Sequence, residues 1–319
     1  MMSRLFSSLS VFCFLIFYSS VCKSTCHAQQ HTRPAPEILE RATQDMAAAK
    51  RGRFRHELRA SDFTAFPSTL NQGRDRLGNY AGRTTDAAYT LTMPLPTGFA
   101  LQFGVGGAWH RLFAPSAAKL PSDLFAANML FGVLFQPSKE WRFLLQVRPG
   151  FYSDFRDISF RDFNAPVLLG AEYQMNEKFK WIFGLSYDAY REFPVVPGIG
   201  FHWRFADKWT LELIAPKPRL VYNINDKYNA YLFGEYRGGS FRVADDFGSI
   251  RANRRLNGEW LNLREFNVGV GGEMSIMRGV SAFAEAGATV ARLWLYEDAR
   301  LQYASEPGAI FRAGFRISF

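Results

Sequence analysis

Past the first thirty residues the chain holds four histidines, His31, His56, His110 and His202, far apart in sequence. A zinc site needs several ligands at short, fixed spacing, and no pair of these histidines supplies it. All three cysteines, Cys13, Cys22 and Cys26, lie before Gln29. A chain processed there would carry neither a thiolate metal site nor a disulfide. The glycine runs at 104–107 and 269–272 are not phosphate loops, because no helix follows them. Within strands they mark bends or close packing. The expectation is no metal, no cofactor and no catalytic group. What remains is fixed charge. Arg142, Arg148, Glu172, Lys180, Asp188, His202, Arg204, Glu212, Glu235, Arg237, Glu273, Glu285, Arg312 and Arg316 all alternate with apolar residues. Charges lining a passage select among ions and small solutes. The same charges can instead pair and fill the space, and bulky Leu144, Ile182 and Phe233 share their face. Both outcomes stay open at this stage.

Such charges need a scaffold that turns every second side chain the same way, which a β-strand does. Phe99, Leu101, Phe103, Val105 and Trp109 fall on one face, with Gln102, Gly104, Gly106, Ala108 and His110 on the other. Trp141, Phe143, Leu145 and Val147 oppose Arg142, Leu144, Gln146 and Arg148 in the same way. Residues 165–175, 180–190, 266–276 and 280–294 continue the pattern, with Glu273 and Glu285 on the polar face. At the end of the chain Phe311, Ala313, Phe315, Ile317 and Phe319 oppose Arg312, Gly314, Arg316 and Ser318. Tight turns (PLPTG, QPSKEW, MNEKFKW, FADKW, NINDKY and IMRG) separate strands from longer polar stretches at 66–86, 113–123, 154–164, 244–258 and 297–307. Short turns at one end and long loops at the other are expected of an outer-membrane barrel. Clear strands begin near 87, 99, 124, 140, 165, 178, 197, 208, 227, 259, 280 and 308. LIAPKPRLVYNIND reads as one long strand with a proline bulge or as two short ones; with a further strand in RFRHELRASDF the two-strand reading gives about 14 strands, and about 12 is the alternative. The predicted fold is all-β, a transmembrane antiparallel up-and-down β-barrel over 54–319.

The first 28 residues read as a secretory signal peptide. Arg4 supplies the positive start, Leu5 to Val21 the apolar core, and Cys26-His27-Ala28 a small-residue cleavage point. An uncleaved anchor helix is the alternative. Acylation at Cys22 lacks the usual leucine three residues earlier. Residues 29–53 form a periplasmic segment with a short helix: Pro36 suits its first turn, Glu37 and Glu40 its positive end, Lys50 and Arg51 its negative end, and Gly52 its stop. The net charge of +9 falls to +7 without Arg4 and Lys23. Its arginines are scattered, with no basic run, so the charge suits lipid phosphates, and export excludes nucleic acid as a partner. Phe is abundant at 31 residues, yet no segment past the leader approaches the roughly 20 apolar residues of a spanning helix.

Seven tryptophans lie near strand ends. Trp141, Trp181, Trp203 and Trp209 adjoin short turns; Trp109, Trp260 and Trp294 adjoin long loops. Amphipathic indoles prefer the water–lipid boundary, so two aromatic girdles are expected. Arg312, Gly314, Ile317 and Phe319 then fall at the polar, glycine, apolar and aromatic positions of a segment that resembles the C-terminal β-signal of bacterial outer-membrane proteins. The resemblance implies recognition by the outer-membrane assembly machinery. The chain after the leader also resembles uncharacterised families of bacterial outer-membrane β-barrels, a class that implies a fold and a place in the outer membrane but no activity.

The leading expectation is therefore a channel or porin-like barrel passing small solutes. The alternative is a non-conducting barrel whose loop arginines (Arg74, Arg76, Arg251, Arg254 and Arg255) bind surface lipid or a partner. An outer-membrane hydrolase is the least favoured. Outer-membrane lipases carry a His-x-Ser pair, and here the stretches are His110-Arg111-Leu112 and His202-Trp203-Arg204. A protease-like rim would need Asp245, Asp246 and His110 together, and adjacent Asp residues more often form solvated turns.

Overall fold

The computed structural model describes residues 54–319. The leader and the helix expected at 36–51 lie outside the described residues. Seventeen strand segments join in one antiparallel sheet that closes on itself, and three pairs of segments each form one strand across a break, giving a barrel of fourteen strands. In order these are β1 Arg55–Gln72, β2 Asp75–Pro94, β3 Phe99–Phe113, β4 Asp123–Phe135, and β5 as Trp141–Val147 with Gly150–Ser153. Next come β6 as Phe163–Asn164 with Val167–Gln174, β7 Phe179–Tyr187, β8 Val195–Ala206, β9 Trp209–Leu213 and β10 Arg219–Asn223. The last are β11 Tyr228–Arg242, β12 Trp260–Met277, β13 Val280–Tyr296, and β14 as Leu301–Ser305 with Gly308–Ser318. Each break contains a proline, Pro149, Pro166 or Pro307. Proline has no N–H to give the ladder, so pairing lapses there and resumes.

β1 closes the barrel. It pairs with β2 on one side and with β14 on the other, from Glu57↔Ser318 to Ala65↔Ile310. At the seam His56 N–H donates to Phe319 O at 2.9 Å and Phe319 N–H to His56 O at 3.1 Å. Both open questions of the strand count resolve to fourteen: the N-terminal strand exists, and a turn at 214–218 divides β9 from β10. The polar stretch 66–86, expected as a loop, is instead a hairpin that turns in two residues at Gly73-Arg74. Gly73 has φ +61°, the left-handed region such a turn uses. The stretch at 297–307 likewise holds strand from Leu301 to Ser305. Polar sequence misled the reading here, because strands that extend beyond the apolar band need no greasy face.

The wall has unequal height. β1 has 18 residues and β2 has 20, while β9 and β10 have five each. Five residues rise about 17 Å, less than the ~25 Å apolar band of a membrane barrel. Above these short strands β11 has little ladder to its left. Its Gly234 and Tyr236 N–H groups donate to Pro218 O at 3.0 Å and Pro216 O at 2.8 Å in the turn. At its top Arg242 meets Ser153 of β5 in parallel. The β7–β8 segment 188–194 packs against the upper part of β12: Tyr190 stacks on Trp260 at 3.7 Å, and Glu192 accepts from Arg264.

Alternation sorts the side chains as expected. Phe103, Phe131, Phe143, Leu145, Phe183 and Phe315 are exposed on the outer face, the apolar surface a lipid-facing barrel presents. Inside, two larger apolar layers pack, with a third small cluster of Val221, Tyr231 and Phe233 beside them. One, toward the long loops, includes Tyr80, Leu124, Phe241, Phe247, Trp294 and Tyr303. The other, toward the short turns, joins Ala100, Leu134, Leu144, Leu168, Ile182 and Ile214.

Candidate functional site: the barrel interior

Most of the charges singled out in the sequence face inward, and the structure gathers them into ion clusters. The largest crosses the lumen. Arg312 of β14 donates to Glu235 of β11 at 2.9 Å and to Glu285 of β13 at 2.8 Å. Lys217, at the tip of the β9–β10 turn, reaches the same Glu285 and stands 3.8 Å from Glu235. The Tyr231 hydroxyl donates to Glu285 at 2.7 Å. Lys217 Nζ also lies 4.9 Å from the Phe233 ring centre, a cation–π contact that helps hold an ammonium away from water.

The remaining predicted charges form smaller sets. Arg142 donates to Glu172, and Lys180 approaches the other oxygen of that carboxylate at 3.4 Å. Arg219 pairs with Glu212 at 2.7 Å, with His202 at 3.6 Å from it. Arg316 lies 3.5 Å from Glu273. Asp188 accepts from Asn164 at 2.8 Å and pairs with Arg191 at 3.2 Å. Arg237 lies over the Phe63 ring at 4.0 Å. Arg204 is exposed near a short turn, beside Lys178. A buried pair gains little net energy over an apolar pair, but removing one partner strands the other.

Sequence reading missed several interior groups. Arg292 donates to Glu265 and lies over Tyr80 and Trp294. Arg242 pairs with Asp162 at 3.1 Å and with Asp245. Lys217 and Arg191 sit in turns, where period-two alternation carries no signal.

Among the tryptophans, Trp109, Trp141, Trp203 and Trp209 are exposed on the outer face, and Trp181 is half-buried there. Trp260 is covered by Tyr190. Trp294 departs from the expectation: it is fully buried inside the barrel, edge-on to Tyr80 at 4.5 Å. The cause is a β-bulge. β12 pairs Asn267 with Thr289 and Phe266 with Ala291, so Val290 is skipped. One extra residue reverses the alternation beyond it, which turns Arg292, Trp294 and Tyr296 inward.

The rim arrangement weighed for hydrolysis does not form. Asp245 and Asp246 pair with Arg242, Arg161 and Arg156. His110 Nδ1 lies inside, 3.0 Å from Thr84 Oγ1, with its ring against Phe241. No group of three potential metal ligands occurs among the described residues.

The β-signal positions lie along the closing strand. Gly314 faces Ala60 and Phe283 so closely that a Cβ would stand 2.6 Å from Ala60 O and 2.7 Å from the Phe283 ring. Phe319 stacks on His56 at 5.1 Å. In the long loops two carboxyls are displaced upward. Burial pushes Asp154 up, against hydrogen bonds from the Ala244 and Arg156 N–H groups. Burial also pushes Glu259 up, with Asp298 and Glu297 adding to it, although Ala299 N–H donates to it at 2.9 Å.

Between the two apolar layers lies a cavity of about 60 Å³. Arg59, Arg148 and Arg191 line it together with Asp86, Gln102 and Gln146.

No curated protein sequence matches the chain significantly. Solved structures match its fold. A TodX deltaS2S3 mutant, described as a monoaromatic hydrocarbon channel, is 10% identical with a TM-score of 0.51, over 92% of this chain and 96% of that one. An outer-membrane channel from Pseudomonas putida F1 is 8% identical with a TM-score of 0.47, over 83% of this chain and 95% of that one. At 10% identity the likeness to the TodX mutant is one of fold, a closed β-barrel. The sequence adds a family to that fold, and over residues 102–318 the chain belongs to DUF6268, a domain of unknown function.

Proposed function

We propose that the protein is an outer-membrane channel that passes selected small solutes through a filled, charge-paired interior. The observation that carries this reading is the interior itself: charged walls, two packed apolar layers, and one cavity between them. A wide general porin would leave an aqueous lumen. Here passage needs side chains to move, so selectivity resides in what they admit. The apolar outer face and the barrel fold support an outer-membrane location and contact with outer-membrane lipid. The β-signal positions Arg312, Gly314, Ile317 and Phe319 on the closing strand support recognition by the assembly machinery. The leader resemblance supports export. On this reading the protein acts as a channel and not as an enzyme.

The test is transport by refolded full-length protein. In planar bilayers the resting ion conductance is expected to be small. In proteoliposomes, uptake of some of a panel of labelled small carboxylates, sugars and aromatics should exceed that of protein-free vesicles. No uptake of any member, from protein shown to be folded, would overturn the channel reading. That result would favour the second reading, a non-conducting barrel. Its supporting observation is the exposure of Arg74, Arg76, Arg254 and Arg255 at the long-loop end, where they could meet lipid phosphates.

A further inference from the structure

The outer wall carries charge where alternation otherwise places apolar side chains. On β3 and β4 the exposed Phe103, Val105, Met129 and Phe131 form an apolar surface. Toward the long loops from it, Asp62, Arg83, Arg111 and Asp123 make one row across β1 to β4. Arg83 of β2 stands directly opposite Arg111 of β3. Like charges directly opposite each other across a ladder are destabilising, so this pair asks for a use.

Each guanidinium is steered from its far side. Arg83 Nε donates to both oxygens of Asp62, at 2.9 and 3.0 Å, and Arg111 Nε donates to Asp123 at 3.4 Å. The carboxylates are further answered by Thr85 Oγ1 at 2.7 Å and by Trp109 Nε1 at 2.8 Å. Arg111 also lies over the Trp109 ring at 4.3 Å. Because both ion pairs use Nε, the terminal Nη groups of the two arginines make no hydrogen bond among the described residues. The arginine side chains are 63% and 48% exposed, the paired carboxylates 35% and 31%, so the donors stand outermost. Opposite residues have Cβ atoms about 4.5–5.5 Å apart, which lets both forks reach one anion. Donors left open beside hydrocarbon cost free energy until something accepts from them.

Guanidinium forks bind phosphate bidentately. A phosphomonoester carries a charge of roughly −1.5 to −2 and three acceptor oxygens, enough for two forks side by side. The row itself is neutral, two arginines against two aspartates, so recognition lies in the geometry of the open donors. Trp109, stacked on Phe125 at 5.8 Å, joins the row to the apolar surface. We propose that Arg83 and Arg111 hold the phosphomonoester headgroup of an outer-leaflet glycolipid, whose acyl chains lie along Phe103, Val105, Met129 and Phe131. The proposal rests on the outer-membrane placement and holds whether or not the barrel conducts.

Native mass spectrometry of the refolded full-length protein in mixed detergent micelles tests it, with diphosphoryl lipid A as the probe and its dephosphorylated form as the neutral match. The diphosphoryl form should bind at least about tenfold more tightly. The double change Arg83→Gln and Arg111→Gln should remove that preference, and Lys139→Gln, in an exposed short turn, should leave it unchanged. The lipid comparison needs no variant, so it decides the matter even if the double variant does not fold. Equal binding of the two lipids would overturn the site, as would a preference that survives the double change. A preference lost instead in Arg74→Gln with Arg76→Gln would move it to the hairpin tip and overturn it here. Inorganic phosphate should compete weakly, because it brings no acyl chains to the wall; full displacement at equal concentration would make free phosphate the ligand and overturn the lipid. Membrane fractionation of cells tests the placement separately. Protein found outside the outer membrane overturns the placement and the proposal with it, whereas an absent preference in protein found there overturns the proposal alone.

Discussion

Two charged regions share one interior, and they are built differently. Around Arg312 the charges balance: two cations, Arg312 and Lys217, meet two carboxylates, Glu235 and Glu285, and Tyr231 satisfies a further oxygen. The four charged members each come from a different strand or turn, so the cluster ties the β9–β10 turn to β11, β13 and β14. Around Arg148 the neighbours are small and a cavity of about 60 Å³ remains. Crowded, interlocked charge suits a brace. Charge beside open space leaves side chains room to move. The first is expected to govern whether the barrel stands, and the second how readily its interior opens.

The largest effect should come from breaking the brace. Arg312→Met leaves Glu235 and Glu285 buried with Lys217 and the Tyr231 hydroxyl to answer them. Removing one partner of a buried ion cluster costs about 3–5 kcal/mol. Urea titration of the refolded barrel, followed by tryptophan fluorescence, measures it. The double change Arg312→Met and Glu235→Gln should recover much of the loss, because Lys217 then still faces Glu285 and neither buried charge is stranded. If Arg312→Met and Arg148→Met lose equal stability, the distinction between brace and cavity collapses.

Next in size is Gly314→Ala, two residues along the same strand. The added Cβ would press on Ala60 O and the Phe283 ring. Overpacking of this kind costs roughly 1–3 kcal/mol, and it falls on the β1–β14 seam that closes the barrel. A lower urea midpoint is expected, with less folded protein reaching the outer membrane in cells. A midpoint equal to that of the parent would show that the seam yields, and would weaken the view that this side of the interior is the rigid one.

The contrast also explains what could be read from sequence. Strict alternation placed Arg312, Glu285, Glu235 and Glu273 on one face, and their pairing follows once the barrel closes. It could not supply the turn residue Lys217, which completes the brace from a segment with no period. Nor could it supply Arg191, which reaches the cavity from the β7–β8 segment. Alternation failed outright at Val290, where one bulged residue moved Trp294 from the expected lipid boundary into the core. Strand number was legible because prolines and glycines punctuate the chain. The unequal wall was not, since the height of β9 and β10 depends on where the 214–218 turn folds inward.

The smallest expected effect lies outside the spanning wall, where Glu259 anchors the 243–259 loop to Ala299 above the upper apolar layer. Burial and the neighbouring acids Asp298 and Glu297 raise this carboxyl above its unfolded value. A group with a raised folded pKa binds its proton more tightly in the folded state. Its contribution is therefore full below the unfolded value, about 4.3 for glutamate, and is lost as pH rises through the folded value. The loop should thus be held more firmly at mildly acid pH than at neutral pH. Glu259→Gln keeps an acceptor for the Ala299 N–H and removes the charge that Asp298 and Glu297 repel. Hydrogen exchange of residues 243–259 should then slow a few-fold at neutral pH and match the parent at acid pH. The opposite order, faster exchange in the variant at neutral pH, would mean that the ionised carboxylate is itself the anchor. In that case the rule drawn from the interior, that charge holds where it is paired, would stop at the barrel rim.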